Sequence, residues 1–265
     1  MSFDLSIPDH AYLFGFLQGD SHHAAGSRQR GRVQTEIAQR DVELLREFQR
    51  IVPYPSSIRF RTRTTNFAAD YTSATWTVHA LEARTDLRKL GLPTGRKAAI
   101  IAPPTVAFSR PDYLRGLIDA DGSIGFTAKG WPFVSIATTS EAIAAFFSAQ
   151  VLQVTGATRK PGRNVRDGAF NVMVTNDPAA EMAAFLYYDG CLALTRKATA
   201  AARIGEWRRP AGMRARYTKR PWTPAEDAVI LTRPIREMAA QLGRTERSVN
   251  ARRWRLRHAN EGDRP

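Results

Sequence analysis

Two periods of apolar residues alternate along the chain. In DVELLREFQRIV (41–52) Val42, Leu44, Leu45, Phe48 and Ile51 fall at helical spacing and share one face. In IRFRTRT (58–64) and YTSATWTVHA (71–80) the period drops to two, which predicts a pair of strands. Arg59, Arg61 and Arg63 take alternate positions of the first. RVQTEIAQ (32–39) is a further β-rich segment. A helix precedes all of these, opened by Ser6-Ile7-Pro8-Asp9. A serine cap, an early proline and an acid are helix-start chemistry. Helical sequence closes the segment over 81–101.

The same order then returns. Ser109-Arg110-Pro111-Asp112 opens a helix, followed by WPFVSIATT (131–139), helix EAIAAFFSAQVLQ (141–153), ATRKPGR (157–163), AFNVMVT (169–175) and a broken helical stretch over 178–204. Tyr12-Leu13-Phe14-Gly15 is matched by Tyr113-Leu114-Arg115-Gly116 and Asp20 by Asp121, all at an offset of 101. Ile37-Ala38 pairs with Ile136-Ala137 at an offset of 99, and Arg96-Lys97 with Arg196-Lys197 at 100. A repeat of this length is a half-domain rather than a solenoid unit. The expected fold class is α+β: a pseudosymmetric pair of αββαββα half-domains, 1–104 and 105–207.

Charge changes the picture after Trp207. Between Arg208 and His258 there are 14 basic and 4 acidic residues, against 24 and 19 in the first 207. RRPAGMRARYTKRP (208–221) reads as a basic linker lying along phosphates. The net charge of +14 favours a polyanionic partner, nucleic acid above all. No apolar run approaches the roughly 18 residues of a membrane span, so no membrane partner is expected. The start MSFDLSIPDH lacks the pattern of a signal peptide. The single Cys191 excludes an internal disulfide and fits a reducing cytoplasm, that of a bacterium or a phage-infected host.

The repeated helices carry the candidate chemistry. Gly15 and Gly19, like Gly116 and Ala120, are four apart and lie on one helix face. Small residues there let two backbones approach closely. If the helices pair, Asp20 and Asp121 meet at their C-terminal ends. Two carboxylates repel, and each would sit at the negative end of a helix dipole. Hard divalent cations with oxygen ligands relieve both conflicts and leave room for phosphate oxygens. Metal-assisted hydrolysis of a phosphodiester is the chemistry that follows. His22-His23, adjacent on a strand, would face opposite sides and read as solvated or DNA-facing rather than metal-binding.

YLRGLIDADG (113–122) resembles the LAGLIDADG motif of homing endonucleases, departing mainly at Arg115, and YLFGFLQGDS (12–21) resembles a degenerate copy with Phe14, Gln18 and Ser21 off pattern. The resemblance covers about residues 6 to 204. It implies a monomeric, site-specific double-stranded-DNA endonuclease with a saddle-shaped sheet on the DNA. It implies Mg²⁺, with Mn²⁺ able to substitute, bound by Asp20 and Asp121. It makes Lys97 and Lys197 active-site lysines that polarise phosphate or activate water, and gives Gln39 a water-positioning role whose repeat mate is Thr138. Arg59, Arg61, Arg63, Arg159 and Arg163, on predicted strands or their turns, are expected to meet guanines or phosphates.

WTPAEDAVIL (222–231), IREMAAQLG (235–243) and RTERSVNARRWRLR (244–257) read as three short helices, with Thr223 and Thr245 as caps and Gly243 closing the second. Trp222 and Trp254 are expected in their small core. The segment 222–258 resembles Myb-like helix-turn-helix domains, which implies a third helix in the major groove contacting DNA through Arg247, Asn250, Arg253 and Arg257. Two other functions suit such a fold, a non-cleaving transcription regulator and an RNA maturase. Retention of both acids favours cleavage. With no intein splicing features visible, the chain reads as free-standing.

Overall fold

The computed structural model describes residues 3–65, 68–213 and 222–258. Its first half-domain runs α1 (Pro8–Gly19), β1 (His22–Ala24), β2 (Arg32–Ala38), α2 (Val42–Ile51), β3 (Ser56–Thr65), β4 (Ala68–Val78) and α3 (Leu81–Lys89). The second runs α4 (Arg110–Asp121), β5 (Gly122–Phe126), β6 (Pro132–Thr138), α5 (Glu141–Thr155), β7 (Gly162–Arg163), β8 (Phe170–Thr175), α6 (Asp177–Leu186) and α7 (Thr195–Glu206). Each half builds one antiparallel four-stranded sheet, ordered β1-β2-β4-β3 and β5-β6-β8-β7, the same winding twice. The expected α+β pseudosymmetric architecture is the one observed.

Period two decides which sheet face is covered. Val33 and Thr35 of β2 and Ala74, Trp76 and Val78 of β4 are buried, as are Val134 and Ile136 of β6 and Val172 and Val174 of β8. Helices pack on that face. α2 lays Leu44, Leu45 and Phe48 inward, and the Phe48 ring meets Trp76 edge-on at 6.0 Å. α5 contributes Ile143, Ala144, Phe147 and Val151. One contiguous core spans both halves, and α1 and α4 run through its centre. Fully burying a large side chain such as Phe48 is worth about 1.5–3 kcal/mol.

Several local expectations need correction. α3 stops at Lys89 rather than running to 101. Gly91 takes φ +106°, a conformation outside the helical region, and Pro93 has no amide hydrogen to donate, so 91–101 becomes turns. The Ser6 hydroxyl goes to Asp4 at 2.7 Å, and Ile7 occupies the cap position of α1 without a side-chain bond. Ser109 does cap α4 by position, but its hydroxyl bonds the Asp112 carboxylate. The strand expected over 157–163 shrinks to Gly162–Arg163.

The chain divides into two compact units, 1–211 and 212–265. Of the basic segment 208–221, residues 214–221 lie outside the described ones. The second unit holds α8 (Pro224–Ile230), α9 (Ile235–Gln241) and α10 (Glu246–His258) around Ile230, Met238, Ala239 and Val249. Thr223 and Glu226 form a reciprocal capping box at α8, and Thr245 accepts from the Ser248 amide at 3.2 Å. The Arg244 guanidinium stacks 3.9 Å from the Trp222 ring and pairs with Glu226 at 2.9 Å. Trp254 is not a core residue: it is 61% exposed.

Candidate active site

The small residues of α1 and α4 do what their spacing requires. A Cβ on Gly15 would stand 2.1 Å from the Tyr113 carbonyl oxygen, and one on Gly116 would stand 2.1 Å from that of Tyr12. Tyr12 and Tyr113 are repeat mates, so the contact is made twice, with the helices' roles exchanged. At the next turn a Cβ on Gly19 would be 2.5 Å from that of Ala120 and 3.2 Å from Oδ2 of Asp121. The Asp121 carboxylate therefore lies against the last turn of α1, beside Asp20.

Each tyrosine also crosses to the other helix. The Tyr12 hydroxyl donates to Asp119 at 2.7 Å and the Tyr113 hydroxyl to Oε1 of Gln18 at 2.5 Å. Gln18 and Asp119 are repeat mates as well, so the off-pattern Gln18 has a definite place. Its amide donates to the carbonyls of Gly91 and Ala102, each at 3.0 Å. Asp119 accepts from the Tyr187 hydroxyl at 2.7 Å and the Leu194 amide at 2.8 Å, yet burial still holds its carboxyl above the usual range.

Arg115, the other departure from the motif, is fully buried. It pairs with Asp112, donates to the carbonyls of Leu192 at 2.7 Å and Leu186 at 2.6 Å, and lies between the Tyr12 and Tyr188 rings. A buried guanidinium is tolerated when its donors are used, and these bonds tie α4 to the segment leading into α7. Sequence reasoning missed this network. The signal available was the Asp112–Arg115 pair at helical spacing.

Asp20 and Asp121 are exposed, yet enough protein surrounds each carboxyl to penalise its charge. Burial raises both above the ordinary carboxylate range. The Asp121 charge pushes Asp20 further up and Lys97 pulls both back. The two lysines lie beneath the acids, 7% and 6% exposed. The Lys97 ammonium donates to the carbonyls of Gln18 at 2.6 Å and Gly19 at 2.7 Å. That of Lys197 donates to Ile118, to Asp119 at 2.9 Å and to Gly122 at 3.0 Å. They neutralise the negative ends of α1 and α4, a cation's favourable place. Burial lowers both ammonium groups, Lys197 to about 8.

Gln39 is exposed on the short turn after β2. That turn is tied to the other half through Asp41 and Arg196, 3.3 Å apart, the residue before Lys197. The polar contact from β2 to Asp20 comes from Thr35, whose hydroxyl donates to the Asp20 carbonyl. His22 faces solvent, but His23 is a core histidine, 2% exposed with Nδ1 3.2 Å from the Leu92 carbonyl oxygen. Thus His23 does not face DNA.

The outer face of β3 carries Arg59, Arg61 and Arg63, the last held by Glu36 at 3.1 Å. Arg159 precedes β7 and donates to the Met173 carbonyl at 3.1 Å, while Arg163 on β7 donates to that of Gly168 at 3.2 Å. In the second unit Arg247, Asn250 and Arg257 are exposed on α10. Arg253 instead caps α8, donating to the Ile230 carbonyl at 2.6 Å and to that of Arg233, so its fork is occupied.

Among solved structures, the chain is similar to the meganuclease I-SmaMI bound to uncleavable DNA, with a TM-score of 0.50 at 10% identity over 78% of this chain and 90% of that one. The fold is that of the LAGLIDADG homing endonucleases. Further similarities are to mesophilic variants of the homing endonuclease I-DmoI (TM-score 0.49, 15% identity, 74% of this chain and 97% of that one) and to the I-LtrWI LAGLIDADG homing endonuclease bound to target DNA (0.48, 10%, 75% and 89%). No protein-family model and no curated protein matches the sequence. α1 and α4, the helices whose sequences resemble the motif, bring their acids to the place where the halves meet. Among the described residues, no helix is long and apolar enough to cross a membrane.

Proposed function

We propose that the protein is a metal-dependent, site-specific double-stranded-DNA endonuclease of the homing type, working as a monomer. The observation that carries this reading is the meeting of Asp20 and Asp121 at the ends of two interlocked helices, with Lys97 and Lys197 beneath them. The donor set fits Mg²⁺ or Mn²⁺. It offers two hard, mutually repelling carboxylates open to solvent, while the neighbouring carbonyls are taken by lysines. Asp20 and Asp121 would hold the ions, which supply charge stabilisation at the scissile phosphate and a more acidic water.

The chain's own residues supply the frame. α1 and α4 fix the separation of the acids. Lys97 and Lys197 hold the last turns in place and put positive charge next to the phosphate path, which favours charge developing in the transition state. Gln39, exposed on the turn after β2, would orient water. The acid pair suits cleavage of two strands, one on each side of the pseudo-twofold axis. The meganuclease of similar fold is described as bound to DNA, and the net charge of +14 agrees with that partner.

The second unit, of Myb-like helix-turn-helix character, adds affinity through Arg247, Asn250 and Arg257. The direct test is cleavage of the gene's own flanking DNA by purified protein with and without Mg²⁺ or Mn²⁺. Metal-dependent double-strand cuts at one site are expected. Specific binding without cutting in either metal would replace the nuclease by a regulator. Removing 208–265 should weaken binding and flatten its salt dependence, each lost phosphate contact lowering the log–log slope by about 0.9.

A further inference from the structure

The outward faces of the two sheets differ in kind. On the first, strand register sets Arg32, Gln34 and Glu36 of β2 beside Thr75 and Thr77 of β4 and Arg59 and Arg61 of β3. These residues line a groove of about 520 Å³. Arg63 is committed to Glu36 and to the Tyr71 ring, 5.7 Å away. Arg32, Arg59 and Arg61 are exposed, and among the described residues no acid pairs with any of them. On the second sheet the same face carries Ser123, Phe133, Ser135, Ala137, Asn171 and Met173. None of these is charged, and Met173 is 42% exposed. β3 spans ten residues and its counterpart β7 only two.

We infer that the DNA target is chemically lopsided: the half-site under the first sheet carries guanines two steps apart, read by Arg59 and Arg61, and the half-site under the second, whose face holds no guanidinium, is read by Asn171 and apolar contacts instead. An unpaired guanidinium on a sheet in the major groove matches O6 and N7 of guanine bidentately. Spacing of two along β3 puts Arg59 and Arg61 on one face about 6.6–6.8 Å apart, about two base steps at 3.4 Å. The second face offers the exposed Asn171 amide, which matches N6 and N7 of adenine, and the apolar atoms of Met173 and Phe133, which match thymine methyl groups.

This inference rests on the DNA-cutting function proposed above. The full chain, held with Ca²⁺ in place of Mg²⁺, is used to select duplexes from a randomised pool, and base preference is scored at each position. Expected is a site with two guanines, two steps apart, in one half and no such pair in the other. In the Arg59→Ala and Arg61→Ala proteins each guanine preference should relax separately, by roughly 5- to 150-fold. Met173→Ala should change preference by less than about 5-fold. The same guanine pair in both halves would overturn the inference and leave the nuclease intact. So would an arginine variant that weakens all sequences uniformly, the mark of a phosphate contact. Selection of no duplex at all would remove the DNA-binding function together with it.

Discussion

At the end of α1, Lys97 reaches in from a turn and holds two carbonyls; at the end of α4, Lys197 reaches in from the first turn of α7 and holds three. The first end is braced by a neutral amide, Gln18, the second by a buried carboxylate, Asp119. Yet both ends present an acid at the same place. Pseudosymmetry here conserves the positions of hydrogen-bond partners and the sign of charge near the helix terminus, while the residue that supplies each is free to differ. Lys197 has every ammonium hydrogen committed. Among the described residues Lys97 donates to two carbonyls, from a turn rather than a helix.

The strongest way to break this comparison is to remove each acid in turn. Asp121→Asn should lower Mg²⁺-dependent cutting by at least ~10³-fold, since several kcal/mol of transition-state stabilisation depends on the metal. Metal-free DNA affinity should hold or rise, because a charge near phosphate is lost. Asp20→Asn should fall alike if the two ends are chemically equivalent. Strand-resolved assays that show one strand still cut at the parental rate would refute a shared site.

Next in size is the helix contact itself. Gly15→Ala and Gly116→Ala each force a methyl to within 2.1 Å of a carbonyl oxygen, and urea unfolding should record a loss of about 3 kcal/mol for each. Gly205→Ala is the control. Nothing stands within 4 Å of a Cβ there, and in the last turn of α7 it should be neutral or stabilising by up to about 1 kcal/mol. If all three behave alike, the close approach is not what holds the halves together.

The smallest effect separates the lysines. Replacing Lys197 by Met should cost more than replacing Lys97, because three carbonyls lose their donor instead of two, at about 1 kcal/mol for each bond lost. The pH profile sharpens this. With its folded pKa near 8 and an unfolded value near the ordinary 10.5, Lys197 binds fewer protons in the native state between those values. Its contribution therefore makes stability rise with pH in that window. Comparing unfolding midpoints from pH 8 to 10, the Lys197→Met protein should lack that part of the rise. An identical slope in parent and variant would contradict a depressed ammonium.

Much of the fold was legible because it depends on period and repetition. The offset of 101 located α1 and α4, and the four-residue spacing of Gly15, Gly19, Gly116 and Ala120 indicated how they touch. What escaped depends on contacts between residues far apart in sequence. Nothing local marks Asp119 as the acceptor for Tyr12 and Tyr187, or Arg115 as a core residue. Lys97 and Lys197 were visible as a pair, but their engagement with helix carbonyls was not. Arg253 looked like its neighbours on α10, and its capping of α8 needs the tertiary fold to appear. Strand period correctly sets His22 and His23 on opposite sides, but nothing local shows that the His23 side is closed by the segment at Leu92.

The exchange of tyrosine partners between α1 and α4 has a consequence during synthesis. Tyr12 and Gln18 emerge from the ribosome about a hundred residues before Asp119 and Tyr113. At about 5–20 residues per second, the first half spends roughly 5–20 s with Gly15 facing nothing and Gln18 without its hydroxyl donor. A nascent first half is thus an incomplete folding unit with an apolar helix uncovered. The second motif helix, once made, docks as the missing part of the first half's core. Expression yield should therefore respond to changes in α4 and in translation speed between the halves, even when the finished protein is equally stable.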